Sequence, residues 1–235
     1  MVAMVDSDPT FAYPLLIAAR TYLDADQPAR AEAAARRMVI AAPGLVRSHA
    51  DLATLFLELD RPSDALQASA QGLALFPGDP ELSVLEARGK AALGDRNGAI
   101  SEYQAVLQSH PDHHLAAADL AVLLVERGDP EATRKALELV HGLELDGPLE
   151  PEALGAIGRV ALKVSRDPAR AAQALELAVR GAPEDPTLRY YLGLASKAEG
   201  KPEVALPVLR SAIQLGRPFP EDAEARKLIA ELEAK

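Results

Sequence analysis

Residues Ser48 to Pro77 read SHADLATLFLELDRPSDALQASAQGLALFP and hold two apolar helical patterns with a short polar segment between them. The first pattern is a stripe at helical spacing that consists of Leu52, Ala53, Leu55 and Phe56. This stripe stops before Pro62. A proline suits the first turn of a new helix, because the backbone N–H that it lacks would have no partner there. The second stripe consists of Ala65, Leu66, Ser69, Gly72 and Leu73. We therefore predict two short antiparallel helices that are joined by a tight turn.

Prolines repeat along the chain with a period of 34 residues. This step separates Pro9, Pro43, Pro77 and Pro111. The turn between the two helices of each hairpin follows the same period, at Pro28, Pro62, Arg96 and Pro130, and later at Pro168 and Pro202. Because one hairpin cannot bury its apolar face alone, several such hairpins must stack. The period therefore predicts a tandem array of helical hairpins.

The period divides residues 1–235 into one repeat domain. The predicted repeats span residues 12–45, 46–79, 80–113, 114–150, 151–185 and 186–219, and a cap helix spans 220–235. Repeat four is three residues longer than the standard step and repeat five is one residue longer. In repeat four, either the turn after Asp129-Pro130 is extended or the second helix runs on through Leu145. A bend is predicted at Pro207, because a proline inside a helix removes one backbone hydrogen bond.

The first residues look like the end of a repeat. Asp8-Pro9 lies where the closing proline of a preceding repeat would fall. We therefore expect that the chain begins at the end of an upstream repeat, as an excised segment of a longer array would. Residues 1–20 lack a basic start and have only a short apolar run, so they match a signal peptide poorly.

The chain resembles the tetratricopeptide repeat family over nearly its whole length. The matching positions are Leu52-Ala53 and Leu192-Gly193 in first helices, Ala31, Ala65, Ala99, Ala171 and Ala205 in second helices, and Tyr103. The resemblance implies an all-α, right-handed superhelical solenoid of antiparallel helix hairpins with a C-terminal cap helix. It also implies a protein–protein adaptor whose first helices form a concave wall. The tail GRPFPEDAEARKLIAEL, residues 216–232, resembles repeat proteins of bacterial exopolysaccharide or sorting systems.

Composition excludes several classes of function. The chain has 35 acidic and 25 basic residues, and its formal net charge is −10. This charge argues against nucleic-acid binding, which needs a basic surface, and against binding to an anionic membrane. No apolar run approaches the length that spans a bilayer, so no membrane insertion is expected. The chain contains no cysteine, so the compartment stays undetermined.

Family spacing implies a set of residues on the concave wall of the array. The predicted partner-binding residues are Leu16, Arg20, Leu23, Thr54, Leu57, Val84, Arg88, Val122, Val125, Arg159, Leu162, Tyr190, Leu194 and Lys197. This wall is largely apolar and carries positive charge inside an acidic protein. It suits an amphipathic helix or extended peptide with carboxylates, which guanidinium groups bind well. Alternatively, each arginine pairs with a neighbouring acid of the array, such as Asp51, Asp119 or Glu126.

Other chemistry has little support in the sequence. His110, His113 and His114 lie together at a turn between repeats, where helix capping explains them better than a metal site does. No phosphate-binding loop, nucleophile elbow, kinase motif or zincin motif is present. We therefore predict a protein with no catalytic residues, no cofactor and no metal.

The predicted function is a non-enzymatic scaffold that binds a peptide or helix in its concave groove. Two alternatives stay open. The chain could drive self-association or act as a spacer in a larger multi-repeat protein. It could also be a periplasmic, carbohydrate-associated component of an exopolysaccharide system.

Overall fold

A computed structural model describes residues 12–143 and 149–234, which are almost entirely helical and contain no β-strand. The chain divides into two compact units, Met1–Pro111 and Asp112–Lys235. The expected remnant of an upstream repeat, at residues 1–11, lies outside the described residues. Among the described residues, no helix combines the length and the apolar character needed to cross a membrane.

The first unit contains six helices within its described residues. They are α1 (Ala12–Asp24), α2 (Pro28–Ala41), α3 (Val46–Glu58), α4 (Pro62–Leu75), α5 (Pro80–Ala92) and α6 (Arg96–Ser109). Consecutive helices pack against each other as hairpins, and each first helix also packs on the second helix of the preceding hairpin. The helices begin within a residue or two of the positions that the proline period predicts.

The second unit continues the same pattern. Its helices are α7 (His114–Arg127), α8 (Pro130–His141), α9 (Pro151–Val160), α10 (Pro168–Gly181), α11 (Pro186–Ala198), α12 (Pro202–Gln214) and α13 (Asp222–Glu233). A π-helix, Ala161–Ser165, follows α9 directly, and we refer to it as the π turn. The α12 helix continues through Pro207, and the bend predicted there stays a prediction.

Local sequence signals explain where the helices start. Asp79 Oδ1 accepts a hydrogen bond from the Leu82 N–H at 3.0 Å and so caps the start of α5. Asp129 caps α8 in the same way, at 2.8 Å from the Ala132 nitrogen. Each of these caps precedes a proline at the first helical position. The start of each of these helices is therefore encoded within a few residues.

Small residues let the paired helices approach closely. The five second-helix alanines that match the family pattern, Ala31, Ala65, Ala99, Ala171 and Ala205, are all fully buried. Gly193 performs the same task on a first helix, because a Cβ atom there would lie 2.5 Å from Cγ of Leu209. Large side chains such as Phe56 and Tyr103 fill the space between these contacts.

The extra residues of repeat four do not lie at either predicted place. The α8 helix begins at Pro130, directly after Asp129, and it ends at His141. Nine residues, 142–150, then precede α9, whereas four residues follow α2, α4, α6 and α10. Gly142 has a low helix propensity and follows the last helical residue, which accounts for the early end. Leu145 itself lies outside the described residues.

The extra residue of repeat five lies in the π turn. The Asp167 N–H donates to the Ala161 carbonyl, six residues earlier, at 3.2 Å. In four other hairpins the equivalent bond spans five residues, as from Arg61 to Phe56 at 2.8 Å. Arg166 then adopts a left-handed conformation, with φ of 49°. The π turn thus absorbs the insertion without changing the start of α10.

The final helix packs as the predicted cap. On α13, Ala225 and Leu228 are buried, and Ile229 and Leu232 pack beside them. Phe219, in the segment before α13, completes this cluster on the side of α12. The cap helix therefore covers the apolar face that the last hairpin would otherwise expose.

Candidate functional site

The second unit contains a groove along its first helices. The groove has a volume of about 290 Å³ and lies between α7, α9 with the π turn, and α11. Its lining consists of Val122, Val125, Glu126, Arg159, Val160, Leu162, Lys163, Tyr191 and Leu194. We call it the α7–α9–α11 groove.

Aliphatic side chains form the floor of this groove. Val125 and Val160 are buried, whereas Val122, Leu162 and Leu194 are only half-buried. The three half-buried residues keep apolar surface in contact with solvent, and a ligand that covered it would gain hydrophobic free energy. The groove is therefore a suitable surface for aliphatic side chains of a partner.

Arg159 is held in the groove by an aromatic ring and a carboxylate. Its Cζ atom lies 5.1 Å from the centroid of the Tyr191 ring, within the range of a cation–π contact. Its Nη2 atom lies 3.7 Å from Oε1 of Glu126. The two groups therefore form an ion pair, but the distance is longer than that of a normal hydrogen bond. The guanidinium is thus positioned by stacking and is bound only loosely by its acidic partner.

Tyr191 connects the groove to the segment before the cap helix. Its hydroxyl donates to Oε1 of Glu221 at 2.9 Å. Burial of the phenol, together with the negative charge and the hydrogen bond of Glu221, raises the pKa of Tyr191 to about 12, although the positive charge of Arg159 opposes the rise. The hydroxyl therefore stays protonated at neutral pH and keeps its hydrogen bond to Glu221.

Lys163 adds a second positive charge to the groove. It lies in the π turn, four residues after Arg159, and its side chain is exposed. It makes no ion pair with any residue in the part of the chain that the structure describes. Lys163 thus brings to the edge of an apolar surface a positive charge that pairs with no carboxylate of the described residues.

The predicted lining residues of the second unit fall into two groups. Val122, Val125, Arg159, Leu162 and Leu194 all line the groove. Tyr190 is instead only 8% exposed and packs in the buried cluster beneath the cap helix. Its ring centroid lies 6.4 Å from that of Phe219. Lys197 pairs with Glu231 on the cap helix at 3.5 Å. Both of these side chains lie outside the groove.

Sequence reasoning missed four lining residues, namely Glu126, Val160, Lys163 and Tyr191. Helical spacing could have identified two of them, because Glu126 and Lys163 follow Val122 and Arg159 by four residues. The choice between Tyr190 and Tyr191 depends on how α11 is rotated. No local pattern in the sequence shows that rotation.

In the first unit, the predicted cation Arg20 has a closer acidic partner than Arg159 has. Arg20 Nη1 lies 2.6 Å and 2.7 Å from the two carboxylate oxygens of Glu58. Partial burial lowers the pKa of Arg20, but the hydrogen bond and charge of Glu58 outweigh it and raise the pKa overall. Of the other predicted residues in this unit, Val84 is buried. The rest are half-buried, namely Leu16, Leu23, Thr54, Leu57 and Arg88. The pairing that the sequence left as an alternative is thus present at Arg20, as it is at Arg159 and Lys197.

His113 has a structural role as a helix cap, and His110 contacts its neighbour in the chain. Nδ1 of His113 accepts a hydrogen bond from the Ala116 N–H at 3.3 Å and so caps α7. His110 lies beside Ser109, with 3.0 Å between Nδ1 and the Oγ atom. No group of three or more potential metal ligands occurs in residues 12–143 and 149–234.

These hairpins, with their buried alanines and first-helix groove, define a helical-repeat protein. The sequence profile of the tetratricopeptide repeat family matches residues 84–140 and 156–216, about half of the chain. The chain therefore belongs to the tetratricopeptide repeat family. This membership confirms the predicted class, an all-α array of TPR-type helix hairpins with a cap helix.

Solved structures with the same fold have low sequence identity to this chain. The APC/C hetero-tetramer Cut9-Hcn1 has a TM-score of 0.67 at 17% identity, and the match covers 98% of this chain but only 44% of that one. A thermophilic TPR protein of Thermus thermophilus has a TM-score of 0.63 at 21% identity, covering 81% of this chain and 100% of that one. The human IFIT1 dimer with m7Gppp-AAAA has a TM-score of 0.65 at 14% identity, and the match covers 92% of this chain and 54% of that one. No curated protein sequence matches the chain significantly.

Family membership supports a general role as a protein-interaction scaffold. Proteins built from these repeats are generally non-enzymatic. The character of the ligand, self-association, a bacterial origin and the likeness of the tail to exopolysaccharide-system proteins all stay predictions.

Proposed function

We propose that this chain is a non-enzymatic scaffold that binds an amphipathic peptide or helix with acidic side chains in the α7–α9–α11 groove. One observation carries the proposal. Half-buried aliphatic residues lie directly beside Arg159 and Lys163 in a protein whose net charge is −10. A partner with an apolar stripe and adjacent carboxylates complements both properties of this surface.

The apolar part of the groove provides most of the binding free energy. Val122, Leu162 and Leu194 come from three different repeats, so one ligand helix could cover all three. Covering apolar surface contributes about 25 cal/mol per Å². Helix-in-groove recognition of this kind uses apolar anchors at helical spacing on the ligand.

The charged part of the groove selects the ligand and its orientation. A ligand carboxylate can replace the loose contact of Glu126, which lies 3.7 Å from Arg159, and form closer hydrogen bonds with the guanidinium. Electrostatic complementarity of this kind affects specificity and the association rate more than it affects affinity. Binding should therefore weaken as the salt concentration rises.

Selection from a displayed peptide library, followed by fluorescence anisotropy, tests this function. The variant Leu194→Glu places a charge among the aliphatic residues and should weaken binding of the selected peptides by about tenfold or more. Leu75→Glu is the matched control, because Leu75 is an exposed leucine on α4, outside the groove. Equal affinities of Leu194→Glu and the wild-type protein would contradict the proposal.

Self-association is a second candidate, and one surface favours it. Tyr13 and Ile17 lie one turn apart on α1 and are 70% and 51% exposed. Light scattering distinguishes the two functions, because a groove adaptor is monomeric at all concentrations. A dimer that Ile17→Lys converts to a monomer would support association through α1.

A further inference from the structure

We propose that Lys163 determines the specificity of the α7–α9–α11 groove by binding a carboxylate of the ligand. This inference rests on the proposed function and adds one residue to it that family spacing does not identify. Two independent observations lead to it. One is the charge environment of Lys163, and the other is the π turn that carries it.

The charge at this position of the first helix is reversed in repeat five. Three other first helices, α1, α3 and α7, carry an acid at the position of Lys163, namely Asp24, Glu58 and Glu126. Glu58 lies 2.6 Å from Arg20, and Glu126 lies 3.7 Å from Arg159. In repeats two and four, the acid at this position therefore pairs with an arginine of a neighbouring first helix, whereas Lys163 adds a cation.

The neighbours of Lys163 do not neutralise it. Within the residues that the structure describes, no carboxylate forms an ion pair with its ammonium group. Lys197, on the neighbouring helix α11, pairs with Glu231 on the cap helix. A ligand carboxylate would thus bind Lys163 without displacing a partner among the described residues, whereas at Arg159 it must compete with Glu126.

The π turn is the second observation. It spans Ala161–Ser165, so Leu162 and Lys163 are part of it, and it accommodates the one residue by which repeat five exceeds the standard step. Local π-helical turns occur frequently at functional sites. Here the turn and the uncompensated cation occur on the same five residues, inside the groove.

The ligand group is a single carboxylate beside aliphatic side chains. A Glu or Asp side chain and a free C-terminal carboxylate offer the same chemistry to the ammonium group. Because a ligand that covers Leu162, Leu194 and Tyr191 excludes water beside Lys163, the ion pair is stronger there than on an open surface. The inference therefore predicts discrimination between acidic and amide forms of otherwise identical peptides.

The test compares Lys163→Gln with the wild-type protein against three fluorescein-labelled peptides. The probe is an amphipathic helical peptide, selected on the wild-type groove, that carries one Glu and an amidated C-terminus. The second peptide has Gln in place of Glu, and the third has Gln and a free C-terminal carboxylate. We expect Lys163→Gln to weaken binding of whichever carboxylate peptide binds best by about tenfold and to leave the Gln amide peptide unchanged.

Other outcomes overturn the inference. Equal weakening of all three peptides would show that Lys163 supports the groove without recognising charge. Unchanged affinity of Lys163→Gln for all three peptides would show that the ligand carboxylate does not bind Lys163. Leu194→Glu separates failure of the inference from failure of the proposed function, because it should weaken binding of every peptide by about tenfold or more if the groove is the site. Lys227→Gln, on α13 and outside the groove, is the matched charge control.

Discussion

The guanidinium of Arg159 stacks on the ring of Tyr191, with 5.1 Å between Cζ and the ring centroid. Tyr191 is in turn fixed by Glu221, which accepts its hydroxyl hydrogen bond at 2.9 Å. Three parts of the second unit, α9, α11 and the segment before α13, therefore cooperate to position one cation. The orientation of Arg159 thus depends on residues that come much later in the sequence.

The looseness of the Arg159–Glu126 pair predicts that removing the acid strengthens ligand binding. Glu126→Gln should raise the affinity for an acidic peptide about two- to fivefold, because an exposed ion pair contributes only about 0.2–1 kcal/mol. Arg159→Gln should lower the affinity for the same peptide. Fluorescence anisotropy measures both changes. Glu58→Gln, in the first unit, should leave the affinity unchanged, and a loss of affinity in Glu126→Gln would contradict the expectation.

The hydrogen bond of Tyr191 predicts a loss of stability in Tyr191→Phe. This variant leaves Oε1 of Glu221 without its donor, and Oε2 of Glu221 is already buried without a hydrogen-bond partner in the structure. The free energy of unfolding should fall by about 1–3 kcal/mol, which is the cost of an unsatisfied buried polar group. Urea denaturation followed by circular dichroism measures it. Tyr13→Phe should have no effect, because Tyr13 is 70% exposed.

The burial of Asp51 predicts a stabilising substitution with a defined pH dependence. Burial raises the pKa of Asp51, although the charge and the hydrogen bond of Arg47 oppose the rise. When the pKa of a carboxyl group is higher in the folded than in the unfolded state, the folded protein loses stability as the pH rises through that pKa. Asp51→Asn should therefore raise the thermal midpoint at pH 7.

The pH profile of the same variant provides its control. The gain should disappear at a pH of about 3, where Asp51 is protonated in both the folded and the unfolded state. Differential scanning calorimetry at the two pH values measures the difference. A gain of equal size at both values would show that the effect is unrelated to the charge.

The left-handed backbone of Arg166 predicts a second stabilising substitution. Arg166 has φ of 49°, whereas glycines occupy the equivalent turn in three other hairpins, at Gly94, Gly128 and Gly200. Arg166→Gly should raise the free energy of unfolding by about 0.5–1 kcal/mol, because glycine adopts this conformation without steric cost. Glu176→Gly, at an exposed position in the middle of α10, should lower it by about 1 kcal/mol. Thermal denaturation of the two variants gives opposite shifts if the backbone explanation holds.

Much of the fold follows from short-range sequence signals. A proline at the first helical position and an acid before it place the start of α5 and α8 within a residue. The fully buried Ala65 and Ala205 follow from their place in the 34-residue period. These features depend on neighbouring residues and on a repeat that recurs along the chain, so they can be deduced without tertiary structure.

The insertions show where that reasoning stops. The proline spacing detected both insertions. The place of the insertion in repeat four differed from both predicted places, and no place was predicted for the insertion in repeat five. The residues added to repeat four lie after His141, and the one added to repeat five lies in the π turn. A change of period shows how many residues are added, whereas packing determines which segment can accommodate them.

The sequence by itself determined that this protein is an array of helical hairpins, because prolines, caps and small residues act over a few positions each. Only the tertiary structure decided which side chains line the α7–α9–α11 groove. Tyr191 lies in the groove and Tyr190 in the core because α11 is rotated by its contacts with α12 and the cap-helix segment. Within the described part of the chain, a carboxylate from another helix reaches Arg159, whereas none forms an ion pair with Lys163. Such differences between adjacent helical positions depend on distant parts of the chain that meet only when it folds.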